Sequence, residues 1–332
     1  MDAARLAEQR SAHATVDLSV IVPMFDEEAV LPLFAARLRP VLDGLVADGL
    51  IATYEVLAVD DGSRDSTPVL LVKERRTWAN LRVVRLRANA GHQAALSAGL
   101  ARCRGDWVAS LDADLQDPPE VLRDMLECAT RDGVDVVYGI RTDRSTDSHF
   151  KRRTARAYYR LMRATVGNHV TSDAGDFRLI SRATVDAVNS LPEHNRVLRL
   201  VIPALGFPSG EVGYRREARA AGQTHYPISR MIRLTVDSLT GFTIAPLRVA
   251  TWAGLGGAVL TGLLFGYALL AYLSGRVVPG WTSTFVAVAG VGAVQLLCVG
   301  ILGEYVGRLY TQMQGRPSYF VAHDSLDDDL GE

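Results

Sequence analysis

The stretch VASLDADLQDPPE, Val108 to Glu120, sets Asp112, Asp114, Asp117 and Glu120 directly after a short apolar run. Like charges crowded at the end of a buried strand repel one another. A chain tolerates that cost where a cation or a charged ligand sits among them. Carboxylates are the hard oxygen ligands that Mg2+ or Mn2+ prefers, and Mg2+ is commonly held by one or two of them plus substrate phosphates. A D-x-D pair alone arises by chance about once in a chain of this size; its weight here comes from position. Asp60 and Asp61 of DDGS close a second apolar run, so two acidic pairs are expected to face one crevice. Asp117, just ahead of Pro118 and Pro119, reads instead as a helix cap.

The elements that must position these groups alternate along the first half of the chain. Strands are expected at Leu18–Phe25, Tyr54–Asp61, Leu81–Asn89, Asp106–Asp114 and Val134–Arg141, with helices at about 27–47, 65–77, 91–102 and 118–131 between them. Near-continuous apolar strands separated by single helices predict an α/β domain with a parallel sheet covered on both faces. In such sheets ligands bind beyond the carboxyl ends of the strands, where Asp26, Asp60, Asp61, Asp112 and Asp114 all fall. After Asp143 a helix rich in arginine and aromatic residues is expected, and the acidic C-terminal run DSLDDDLGE is read as disordered.

Composition narrows the classes. The 332 residues are 48% hydrophobic and 22% charged with a net charge of -1, which fits a folded protein and argues against a nucleic-acid partner. Cys103, Cys128 and Cys298 lie far apart without metal-ligand spacing, which suits a reducing compartment. Two uncharged stretches, Val249–Gly275 and Val278–Gly303, each exceed the roughly 20 residues needed to cross a bilayer core. Arg230, Arg233 and Arg248 precede them and Arg308 and Arg316 follow, so the positive-inside bias places both outer ends, and with them the first domain, in the cytoplasm. The expected organisation is a tail over 1–16, a catalytic domain over 17–214, amphipathic juxtamembrane helices over 215–247, a transmembrane hairpin over 248–304 and a cytoplasmic tail over 305–332. In the first span Gly262 and Gly266, and in the second Gln295, are candidates for helix association between protomers.

There is no G-x-x-x-x-G-K-[ST] loop, and no G-x-G-x-x-G follows the first strand, so a Walker-type ATPase and a dinucleotide oxidoreductase are disfavoured. In LSVIVPMFDEE, VLAVDDGSRDST, NAGHQAALSAGL, SLDADLQDPPE and GDFRLISR the chain resembles, in order, the family 2 inverting glycosyltransferases. It is most similar to the polyprenyl-phosphate glycosyltransferases, over about Leu18 to Tyr319. The resemblance implies a Rossmann-like GT-A fold. It implies that Pro23, Phe25 and Glu27 line the nucleotide site, that Asp60 and Asp61 hold base and ribose, and that Gly91, Gln93 and Gln116 belong to the nucleotide-sugar site. Asp112 and Asp114 match the metal-diphosphate motif, with Asp114 the direct ligand of Mg2+ or Mn2+. Asp176 matches the carboxylate proposed as catalytic base, and Arg196 and Arg199 the arginines near the diphosphate. The chain has Phe25-Asp26 where the family usually has Tyr-Asn. It has Thr224-His225-Tyr226 where relatives often have Ser-Lys-Tyr, which leaves Arg215, Arg219 or His225 to receive a lipid phosphate.

The implied activity is inverting transfer of one sugar from a nucleotide diphosphate, read as UDP-glucose, to a polyprenyl phosphate. The implied setting is a bacterial inner membrane and a homo-oligomer, a tetramer by resemblance. A GDP-mannose-dependent mannose synthase and a non-catalytic nucleotide-sugar-binding scaffold are the alternatives. A lipid phosphate with a second pKa of about 6 is largely a dianion at neutral pH, so Asp176 is read as orienting the acceptor or taking its residual proton.

Overall fold

The computed structural model describes residues 17–142, 174–193, 196–217, 245–274 and 280–329. The chain falls into two units, Met1–Gln223 with Pro317–Glu332, and Thr224–Arg316. The first is built on one mixed sheet whose centre consists of β1 (Leu18–Met24), β2 (Tyr54–Asp60), β3 (Leu81–Leu86) and β4 (Trp107–Ser110). These run parallel in the order β4-β1-β2-β3. Every residue of β1 and β2 is buried, as strands covered on both faces must be.

The helices α1 (Leu31–Ala47), α2 (Thr67–Arg75), α3 (His92–Arg102) and α4 (Val121–Asp132) follow β1 to β4 in turn. On α1, Leu31, Phe34, Ala35, Leu38, Leu42 and Leu45 are buried, a spacing that puts them on one helix face. Each leucine so buried contributes about 1.5–3 kcal/mol.

Beyond β4 the sheet departs from a purely parallel plan. β5 (Val136–Arg141) does not pair with β4; β6 (Ala174–Ser181) lies between them, antiparallel to both. β7 (Ser209–Tyr214) then adds parallel to β5, after α5 (Arg182–Ser190) and α6 (Leu198–Ala204). The basic segment expected to be helical after Asp143 lies outside the described residues.

The acidic C-terminal run is not disordered over its described part. β8 (Val321–Asp324) pairs antiparallel with β3, and α9 (Ser325–Asp329) follows. The reason is an ion-pair network that charge composition alone cannot reveal. Asp324, 5% exposed, accepts two hydrogen bonds from Arg82, at 2.8 and 2.6 Å, and lies 3.3 Å from Arg102. The Ser325 hydroxyl accepts from the Val83 amide at 2.9 Å.

The second unit contains α7 (Ala245–Leu273) and α8 (Trp281–Met313). At 1.5 Å per residue they are about 43 and 50 Å long, more than a bilayer core of about 30 Å. The windows Val249–Tyr267 and Gly290–Met313 are long and apolar enough to cross a membrane. Trp252, Leu263, Phe265 and Leu296 are among the side chains they leave largely exposed, which calls for an apolar surrounding.

Candidate functional site

The site is built where the parallel strands end. β1 continues through Phe25, 40% exposed, into Asp26, whose φ of +53° is left-handed. Asp tolerates that region better than most residues because its short side chain bonds locally. Here Asp26 accepts from the Arg64 amide at 2.8 Å and its own amide donates to the Ser63 hydroxyl at 3.0 Å. The Glu27 amide donates to the Thr67 hydroxyl at 2.8 Å. The segment after β1 is thus zipped to the loop after β2, and Asp26, Glu27, Glu28, Arg64 and Asp65 line a cavity of about 510 Å3 between them.

Pro23 sits past Ile21, the last β1 residue paired with β4. There β1 has a neighbour on one side only, where a residue without an N–H is tolerated. It is buried within the strand end. Asp60 is fully buried; its Oδ1 accepts from the Ser63 amide at 2.8 Å, and Arg85 Nε lies 3.1 Å from its Oδ2. Both residues therefore frame the rim from beneath. The structure departs here from the expected direct contacts of Pro23 and Asp60 with the nucleotide, because neither side chain is open to the crevice. Asp61, beside Asp60 and expected with it at the nucleotide site, is buried as well, at 3% exposure.

Asp61 holds the next element. Its carboxylate accepts from the amides of Ala90 at 2.7 Å and Gly91 at 2.9 Å, at the start of α3. Burial pushes this carboxyl up from its ordinary range, with the two amides opposing and the Asp60 charge adding. Gly91 has φ +95°, a conformation L side chains rarely adopt. At Gly62 a Cβ would lie 2.7 Å from the Ala88 carbonyl carbon, so only glycine lets the two loops approach this closely.

The D-x-D segment follows β4. The Ser110 hydroxyl donates to the Asp176 carbonyl, which ties the end of β4 to β6 and brings Asp112 beside Asp176. Burial lifts the Asp112 carboxyl; His92 opposes, and the charges of Asp176, Asp117 and Asp114 add to the lift. Asp114 accepts from the Gln116 amide at 3.1 Å. Among the described residues no three acids or histidines converge to hold an ion by themselves. Two crowded carboxylates nevertheless fit a magnesium- or manganese-like ion whose remaining ligands come from a substrate diphosphate.

Asp176 is the hub. Arg178, 2% exposed, donates to its Oδ1 at 2.6 Å. Arg199 donates to Oδ2 at 3.1 Å, Gln93 at 3.4 Å, and His92 Nε2 lies 3.4 Å from the same oxygen. Burial would lift this carboxyl, but His92, Arg178 and Arg199 outweigh it and hold it far below the usual carboxylate range. His92 also lies 3.6 Å from Asp112; burial lowers its pKa, but Asp176 and Asp112 outweigh burial and leave it raised. Gln93 completes the lattice by accepting from the Leu198 amide at 2.9 Å, which sets α6 and Arg199.

His92 and Arg178 were not among the residues expected from sequence. His92 stands between Gly91 and Gln93 at a helix start, and a histidine at a strand-to-helix junction of an acidic rim is a readable signal. Arg178, an arginine inside an apolar strand, is another. Asp117 is not the expected cap: α4 has Glu120 at its N-cap position without a side-chain bond, and Asp117 instead accepts from the buried Tyr214 hydroxyl at 2.6 Å. Arg196 is turned away from Asp176; its guanidinium donates to the carbonyls of Glu193 and Leu191 at 3.0 and 2.7 Å. Arg215 is exposed after β7, and Arg219 and His225 lie outside the described residues.

Residues 19–188 match the profile described as Glycosyl transferase family 2. The chain is 37% identical over 316 residues to the uncharacterised glycosyltransferase YkoT of Bacillus subtilis, covering 94% of this chain and 93% of that protein. It is 34% identical over 307 residues to the bactoprenol glucosyl transferase of Shigella phage SfII, covering 92% and 97%. Among solved structures it resembles glucosyl-3-phosphoglycerate synthase from Mycobacterium tuberculosis in complex with Mn2+, UDP and phosphoglyceric acid. That match has a TM-score of 0.49 at 21% identity, over 71% of this chain and 80% of the other.

Proposed function

The chain belongs to glycosyltransferase family 2, and from that premise we propose that it transfers one glucose from UDP-glucose to a polyprenyl phosphate with inversion, leaving a lipid-linked monosaccharide. The observation that carries the proposal is the meeting of Asp112, His92, Asp176 and Arg199 at the strand ends. The near full-length likeness to a bactoprenol glucosyl transferase supplies the acceptor class and the sugar.

Phe25, Glu27, Gly91, Gln93 and Gln116 line the donor side in this reading, with Pro23, Asp60 and Asp61 as the frame beneath. A magnesium or manganese ion held by Asp112 and Asp114 would supply charge stabilisation for the leaving diphosphate. Arg199, 45% exposed at its side chain, offers a second positive group to the same oxygens. The acceptor phosphate, largely a dianion at neutral pH, attacks the sugar carbon without needing a base. Asp176, with both oxygens engaged by cations and an amide, acts as a fixed anion that holds Arg199 and His92 toward the reacting groups. Arg215, Arg219 and His225 receive the lipid phosphate.

The sheet unit contributes residues on both sides of the helical pair in sequence, up to Gln223 and again from Pro317. Two spans return the chain to the face of the bilayer that it left. With the arginine bias of the flanks, that face is the cytoplasmic one of a bacterial inner membrane, and protomers associate through the spans. The test is the purified full-length protein in detergent with undecaprenyl phosphate, Mg2+ or Mn2+ and a panel of radiolabelled nucleotide sugars. Label from UDP-glucose moving into the organic phase as a monosaccharide is expected. Label that stays in water, or that moves only from another donor, overturns the reading.

A further inference from the structure

The loop that carries Asp112 and Asp114 ends in a segment bonded to Tyr214 and Glu217, about a hundred residues away. Leu115, between Asp114 and Gln116, has φ +57°. A bulky side chain in that region is costly and persists only where its surroundings over-determine it. Immediately after it, the Gln116 carbonyl accepts from the Glu217 amide at 2.9 Å. Asp117, 2% exposed, accepts from the Tyr214 hydroxyl at 2.6 Å, with Arg141 and Arg216 nitrogens 3.8 and 3.9 Å away. The Tyr214 ring is fixed edge-on against Phe177, centroids 5.4 Å apart.

A second tie closes the loop on its helix side. Arg37 of α1 donates from Nε and Nη2 to Glu120, both at 2.9 Å. The same guanidinium donates from Nη1 and Nη2 to Glu217 at 2.7 and 2.8 Å. One arginine fork thus joins α1, the start of α4 and the chain leaving β7. Paired bidentate contacts of this kind fix geometry more firmly than single ones. A surface ion pair is worth little alone, but here it acts with a buried hydroxyl–carboxylate bond and a backbone bond on adjacent residues.

We propose that Tyr214, Glu217 and Arg37 are positioning residues that clamp the strained Leu115 turn and so set Asp112 and Asp114 for the donor diphosphate. The clamp rests on the nucleotide-sugar reading given above, and it gives the stretch just ahead of the juxtamembrane segment control over the diphosphate loop.

The test uses the full-length protein in detergent as Glu217→Gln, Arg37→Met and Tyr214→Phe, the last keeping the ring packed on Phe177. The first readout is hydrogen exchange of residues 111–120 without metal, and the second is UDP binding with Mn2+. Faster exchange confined to that stretch and about tenfold weaker UDP binding, at a little-changed melting temperature, are expected. Wild-type exchange or wild-type UDP binding in both Glu217→Gln and Tyr214→Phe overturns the clamp. If wild-type protein binds no UDP with either Mn2+ or Mg2+, the donor reading has failed, and the exchange measurement alone decides the clamp. Should one variant not fold, the other two carry both readouts.

Discussion

Arg178 Nη2 lies 2.6 Å from Asp176 Oδ1, and its guanidinium is sealed from solvent at 2% exposure. A charge buried so completely is compensated by that carboxylate and by the Leu198 carbonyl, which accepts from Nη1 at 3.1 Å. The pair therefore ties the central carboxylate of the site to the stability of β6 and α6 together. Removing one partner of a buried pair leaves an uncompensated charge, which costs about 3–5 kcal/mol. Asp176→Asn is expected to lower the unfolding free energy of the sheet unit by about that amount, and Asp176→Asn with Arg178→Met to recover part of it. Denaturant melts of the two variants check this; equal destabilisation would show that the pair is not what holds the strand.

The same geometry fixes a pH dependence. The Asp176 pKa is depressed in the folded state, so its stabilising contribution is fully present above the unfolded aspartate value of about 3.9 and is lost only as pH falls through the lower folded value. Asp176 accordingly stays an anion throughout the working range. Asp176→Asn is expected to lower the transfer rate roughly a hundredfold, and with His92→Gln in both chains, which removes the imidazole whose pKa Asp176 raises, that ratio is expected to be constant from about pH 5.5 to 8.5. A ratio that shrinks toward high pH would restore a proton-accepting role.

Asp324 gives a second acid-sensitive contact, far from the chemistry. Its pKa is depressed because Arg82 and Arg102 outweigh burial. The sign is the same: stability is present above about pH 3.9 and lost as pH drops through the folded value. Asp324→Ala is expected to cost about 3 kcal/mol and to release β8 from β3, read as faster exchange at Val83 and Val84. Unchanged protection there would mean that β8 is held by its backbone ladder alone.

The parallel centre of the sheet was legible because β1 to β4 are runs of apolar and β-branched residues punctuated by DE, DDGS and DPP. β1 and β2 end within a residue of the expected bounds, whereas β3 stops at Leu86 and β4 at Ser110, short of the expected Asn89 and Asp114. What escaped has long-range causes. Nothing local in GDFRLIS marks it as a strand inserted antiparallel between β4 and β5, since the backbone partners that place it belong to those two strands and Arg178 finds one of its partners, the Leu198 carbonyl, on α6. Asp117 looked like a cap because two prolines follow it; its true partner, Tyr214, is 97 residues on. Asp324 looked like part of a solvated acidic tail, yet Arg82 lies 242 residues before it. His92, between Gly91 and Gln93, meets Asp112 and Asp176 only in the fold, because these come from the loop after β4 and from β6.

The opening at Gly91 makes a backbone prediction. Its φ of +95° and ψ of 156° lie in a region essentially reserved for glycine, where another residue costs about 1–3 kcal/mol. Among the described residues, its chain neighbours aside, no atom lies within 4 Å of a Cβ placed there, so Gly91→Ala acts through the backbone. It is expected to weaken the Asp61 bond to the Gly91 amide, and UDP binding is expected to fall several-fold. Isothermal titration with UDP and Mn2+ checks the affinity and a thermal melt the stability; wild-type values for both would show the turn relaxing without consequence.

Metal and diphosphate together bear on stability. Asp112, Asp114, Asp117 and Asp176 repel one another at the strand ends, which is part of what lifts the Asp112 carboxyl. A divalent ion with UDP converts that repulsion into attraction, and any ligand bound only by the folded state stabilises it by mass action, about 2.7 kcal/mol at a hundredfold excess over Kd. The melting temperature of the sheet unit is expected to rise with UDP and Mn2+ together and little with either alone. In Asp114→Asn the rise should require roughly tenfold more Mn2+. Chelation should abolish transfer, with activity restored by Mg2+ or Mn2+. Transfer that survives chelation, or a melt indifferent to the pair of ligands, would remove the ion from the site and leave the crowded carboxylates to be compensated by the surrounding cations, Arg178, Arg199 and His92 at Asp112 and Asp176 and Arg141 and Arg216 at Asp117.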